Sequence, residues 1–83
     1  MESPKGRAIF RRQIERLGAR VWDVATGAEA LATLTTMGAT PGPRVLLFDW
    51  LLEDMSGIEL AHAVRSNPAF AGLGLGMLNS LGG

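Results

Sequence analysis

The strongest constraint on this chain is a short apolar run that ends in a carboxylate: Val45-Leu46-Leu47-Phe48, then Asp49. Pro43 precedes the run and a turn-bearing loop from Trp50 to Gly57 follows it, which predicts a fully buried strand. Near-continuous apolar strands belong to parallel sheets covered on both faces. In such sheets ligands and chemistry gather at the carboxyl ends of the strands. Asp49 is the residue placed there.

The flanking sequence supplies the rest of the pattern. Ser3-Pro4 predicts a helix start, with Phe10, Ile14 and Leu17 on one apolar face and Gly18 at the end. Ala19 to Ala25 alternates apolar and polar residues, which predicts a strand over 20–24. Thr26 with Glu29 three residues on has capping-box spacing for a second helix. A third helix is expected from about Ile58 to Arg65, stopped by Asn67-Pro68. Leu73 to Ser80 alternates, but glycines at interior positions make it a weak strand. Helices alternating with strands imply crossover connections and a parallel sheet.

Composition sets the class. With 83 residues there is room for one small domain, and 47% hydrophobic residues suffice for its core. Eight basic residues balance eight acidic ones, so no net charge favours a nucleic acid or an anionic membrane as partner. No cysteine is present, which excludes disulfides and thiolate metal sites. No apolar stretch approaches the roughly 18 residues of a membrane span, and Met1 to Lys5 lacks a signal-peptide core. A cytoplasmic location is the expectation.

Taken in order and at their spacing, these pieces resemble the receiver domain of bacterial two-component signalling, in particular the kind found in hybrid histidine kinases. Gln13 to Val21 is similar to that family's first helix and second strand. Thr26-Gly27-Ala28-Glu29-Ala30-Leu31 is similar to its turn into the second helix, and Gly57-Ile58-Glu59-Leu60 to the start of its third. Asp49 and Gly57 stand at the family's spacing of eight between phosphoacceptor and glycine. The resemblance implies an α/β, flavodoxin-like parallel sheet, with residues 1–83 forming a partial receiver domain. It implies Asp49 as phosphoacceptor, and a Mg²⁺ ion held by Glu2, Asp49 and the Leu51 backbone carbonyl. It places the switch position at Asn79, with Ser80 beside it.

Several positions depart from that pattern. The family's acidic pair aligns with Met1 and Glu2, so the first strand is expected to be missing, as is everything after the fourth, including a lysine. Glu53 replaces a proline and Ser56 an aspartate. In the family's strand order, 2-1-3-4-5, the first strand lies between the second and third. The strands over 20–24 and 45–49 are therefore expected to flank a gap, and Leu46, Phe48, Leu75 and Met77 to lack covering elements. Self-association through exposed strands is a consequence.

Other residues carry blander expectations. Glu53 and Asp54 read as a solvated loop pair, His62 as a surface histidine rather than a phosphodonor, and the first helix's arginines as a solvated face. Trp22 and Trp50 read as core and rim residues, although Trp50 could sit at a partner surface. The series Gly72-x-Gly74-x-Gly76 has no helix start after it, so it fails as a phosphate loop. The function that the resemblance implies is a phosphorelay receiver served by a histidine kinase or phosphotransfer protein. A non-catalytic pseudo-receiver that docks on a partner and an inactive receiver fragment are the alternatives.

Overall fold

The computed structural model describes residues 4–78. In chain order the elements are helix α1 (Pro4–Arg16), strand β1 (Arg20–Asp23), helix α2 (Gly27–Ala39), strand β2 (Arg44–Asp49), helix α3 (Gly57–Arg65), a 3₁₀ turn (Pro68–Phe70) and strand β3 (Gly74–Leu78). The strands form one parallel sheet in the order β1-β2-β3. Val21 lies opposite Val45, and Phe48 opposite Met77. This is an α/β fold of the flavodoxin-like kind, with three parallel strands among the described residues.

The direct pairing of β1 with β2 corrects the expected gap. Arg20 donates its N–H to the Pro43 carbonyl at 2.9 Å, and Val24 donates to Leu47 at 3.0 Å. The physical reason is the cost of leaving the alternative unmade: an unpaired buried backbone group costs about 1–3 kcal/mol. No strand lies between the two among the described residues, so each satisfies the other. The expectation of uncovered apolar faces is also half wrong. Leu46 and Phe48 are completely buried, Leu75 is partly covered, and Met77 alone of the four is exposed.

Alternation along β2 builds a core on each face of the sheet. Leu46 and Phe48 pack with Ala30, Leu34 and Met37 of α2 and with Leu60 and Val64 of α3. Leu47 points the other way, into room left by Gly76 of β3. A Cβ on Gly76 would lie 2.6 Å from Leu47 Cδ2 and 3.5 Å from Phe10 Cε2. The glycine that weakens β3 on propensity thus makes space for Leu47 beneath α1, and the strand forms. On α1 the expected apolar face is covered only in part: Leu17, at the helix end, is 85% exposed.

The helix ends follow the sequence closely. The Thr26 hydroxyl accepts the Glu29 N–H at 3.0 Å, while Glu29 Oε1 accepts the Ala25 N–H at 2.8 Å. Ser56 and Glu59 close a full capping box on α3. Gly18, at φ +94°, turns the chain out of α1. Arg44 donates through Nη1 to the Met37 carbonyl at 2.7 Å, setting a cation against the last turn of α2.

Candidate functional site: the carboxyl end of β2

Asp49 is the last residue of β2, the middle strand of the sheet, and is half-buried. Its Oδ1 accepts the Leu51 N–H at 3.3 Å, a bond across two residues that fixes the start of the loop. Trp50 donates its N–H to the Leu78 carbonyl at 2.8 Å, which carries the β2–β3 pairing one residue beyond the strand. The loop then folds back. Leu52 donates to Met55 at 3.0 Å and Gly57 donates to Trp50 at 2.6 Å, flanking a bridge between Leu51 and Ser56. The Leu51 carbonyl takes no part in those two bonds.

The eight-residue spacing from Asp49 to Gly57 has a steric cause. A Cβ on Gly57 would sit 2.7 Å from the Asp49 carbonyl oxygen and 2.7 Å from Trp50 Cα. Both are backbone atoms that cannot swing aside. Only glycine lets α3 begin against the end of β2, and that contact places the helix start beside Asp49.

Asp54 is exposed on the loop, as expected, but its carboxylate is held by another element. Its carboxylate oxygens accept the N–H groups of Gly27 at 2.7 Å and Ala28 at 3.0 Å, at the N-terminus of α2. A carboxylate at a helix N-terminus meets unsatisfied donors and the positive end of the helix dipole. The Gly27 bond first, and then the Ala28 bond, hold its pKa below the ordinary 3.8. Next to it the Met55 sulfur lies over Gly27, in the space that a Cβ there would fill. The loop after Asp49 is thereby fastened to α2. Its neighbour Glu53 is exposed, as expected.

The remaining site residues divide cleanly. Asp49 and Leu51 come together at the end of β2. Glu2, Asn79 and Ser80 lie outside the described residues. Sequence reasoning passed over Asp23, a half-buried carboxylate that ends β1 opposite Leu47. Alternation puts it on the same sheet face as Asp49. The available signal was its place as the last polar residue of the first strand. His62 is exposed on α3, Trp22 packs against the core and Trp50 is 37% exposed.

A magnesium ion takes oxygen ligands, commonly one or two carboxylates with waters completing the shell. The Asp49 carboxylate and the Leu51 carbonyl are oxygen donors of the type such an ion takes, on one loop. Among the described residues no group of three or more acidic, histidine or cysteine side chains could hold a metal by itself. Nor is any helix among them long and apolar enough to cross a membrane.

Among curated proteins, the chain is similar to the chemotaxis protein CheY1 of Helicobacter pylori. The two are 28% identical over 82 residues, covering 99% of this chain and 64% of that protein's length. No protein-family model matches the chain, and no solved structure matches it. Sequence similarity along nearly its whole length, a helix-flanked parallel sheet, and an aspartate at the carboxyl end of the middle strand agree with one another and support a receiver domain of the response-regulator type.

Proposed function

We propose that this chain is a phosphorelay receiver whose Asp49 accepts a phosphoryl group from a histidine kinase or a phosphotransfer protein. The observation that carries this reading is Asp49 itself. It is a carboxylate at the end of the middle strand, on a loop closed by Gly57 against its own carbonyl. In the reaction, an Asp49 carboxylate oxygen attacks phosphorus, the phosphorus–nitrogen bond of the donor breaks, and the imidazole leaves with the bonding electrons. Asp49 and the Leu51 carbonyl would hold a Mg²⁺, which would supply charge neutralisation at the phosphoryl oxygens. Glu2 is the second carboxylate of that set by resemblance. Asn79 or Ser80 is the position that senses the new charge.

The loop from Trp50 to Ser56 carries the consequence. Asp54 and Met55 join it to α2, so phosphorylation of Asp49 replaces one negative charge by about two within a few residues of the Asp54 carboxylate. The cytoplasm, where histidine kinases phosphorylate their receivers, is the compartment consistent with this role. Incubation with a small-molecule phosphodonor and Mg²⁺, followed by peptide mass spectrometry, tests the assignment. Label should appear on the peptide containing Asp49 and vanish in Asp49→Ala. Label that persists in that variant removes the proposal.

A further inference from the structure

Strand β1 lies at an edge of the described sheet. Arg20 and Val24 bond inward to β2, so alternation turns the N–H and C=O groups of Val21 and Asp23 outward. A cleft of about 570 Å³ runs along this edge, lined by Arg11, Glu15, Ala19 and the β1 residues. Within one chain, Arg11 reaches across it and donates through Nη2 to the outward Val21 carbonyl at 3.3 Å. The same guanidinium meets Glu15 at 3.3 Å. Two bases and two acids therefore line a single strand edge, Arg11 and Arg20 against Glu15 and Asp23. That arrangement is self-complementary.

We propose that two copies of this chain pair β1 to β1, antiparallel, about a two-fold axis beside Trp22. One register uses both outward residues of the strand on each side. It sets Val21 opposite Asp23 of the partner subunit and Trp22 opposite Trp22 of the partner subunit. Pairing exchanges the bonds made at this edge within each chain, that of Arg11 to Val21 among them, for bonds between chains. The carboxylate of Asp23 of the partner subunit then lies beside Val21, within reach of the released Arg11, and the symmetry makes that contact twice. An aromatic pair at a non-hydrogen-bonded position adds cross-strand packing. The interface is isologous, so association stops at two.

The test is sedimentation velocity of the full chain over a concentration series, with amide exchange as a second readout. The wild type should form a dimer, and protection of the Val21 amide should rise with concentration. Val21→Pro removes an outward donor and leaves the bonds to β2 in place; it should weaken the dimer at least tenfold. Asp23→Arg should do the same by opposing Arg11. The double variant Arg11→Glu with Asp23→Arg restores the pairing of opposite charges and should recover the dimer. Circular dichroism screens each variant for folding, and the charge-reversal pair decides the matter if the proline variant unfolds. A wild type that stays monomeric at all concentrations overturns the proposal. So does an assembly that survives both the proline and the single charge reversal, or one that the double variant does not recover.

Discussion

The Asp54 carboxylate accepts the Gly27 N–H at 2.7 Å, across 27 residues of sequence, and so ties the loop that follows Asp49 to the start of α2. Two helix donors are satisfied by a residue from a different element, and the bond depends on charge. Asp54 has a lowered pKa in the folded chain, so its contribution is present above the unfolded value of about 3.8 and is lost as pH falls through the folded one. Acid unfolding of the wild type should therefore steepen below about pH 4. Asp54→Asn should be less stable at neutral pH and should show a flatter acid limb. Parallel acid limbs for the two proteins would show that the carboxylate is solvated.

Gly57→Ala should destabilise the fold by about 1–3 kcal/mol, the usual cost of forcing atoms into a packed site. The new methyl meets backbone at Asp49 and Trp50, so α3 must move away from the end of β2. Gly76→Ala should cost less, because its nearest neighbour is a Leu47 methyl that can rotate. Urea unfolding of both variants checks the order, and equal costs would mean that the helix start is free to shift.

Gly38→Ala should act in the opposite sense. Gly38 lies within α2, is exposed, and a Cβ there would meet only Phe70 Cε1, at an ordinary 3.9 Å. Replacing a helical glycine where nothing clashes should stabilise by about 0.5 kcal/mol through the lost freedom of the unfolded chain. A thermal melt reads the change directly.

The β1–β2 pairing makes its own prediction. The Arg20 and Val24 amides are bonded to Pro43 and Leu47 and should exchange slowly with solvent. At high dilution the Val21 amide should exchange faster than either. Rapid exchange at Arg20 and Val24 would mean that the two strands stand apart.

What was legible in the sequence was local. The apolar run of β2 announces itself because both faces of that strand are buried. The cap at Thr26 is visible because it rests on a pair of residues three apart; Ser56 and Glu59 have the same spacing, and that cap was passed over. The spacing of eight from Asp49 to Gly57 is legible only through the family resemblance; its steric cause appears when Gly57 is set against the Asp49 carbonyl. β3 was nearly missed, since its glycines lower strand propensity and their use appears only when Leu47 is placed beside Gly76. Strand order was misjudged between β1 and β2, because pairing is a contact between distant segments that no local pattern encodes. The role of Asp54 was hidden likewise: its donors lie 26 and 27 residues away.

The central claim is that Asp49 carries the phosphoryl group as an acyl phosphate, and reductive trapping tests it most directly. Borohydride reduces an acyl phosphate to the alcohol and leaves esters and phosphohistidine unchanged. After phosphorylation with a small donor and Mg²⁺, reduction and peptide mapping should find Asp49, and no other carboxylate, converted to homoserine. Conversion at Asp23, Glu53 or Asp54 instead, or a phosphoryl group that survives reduction on His62, would contradict the account.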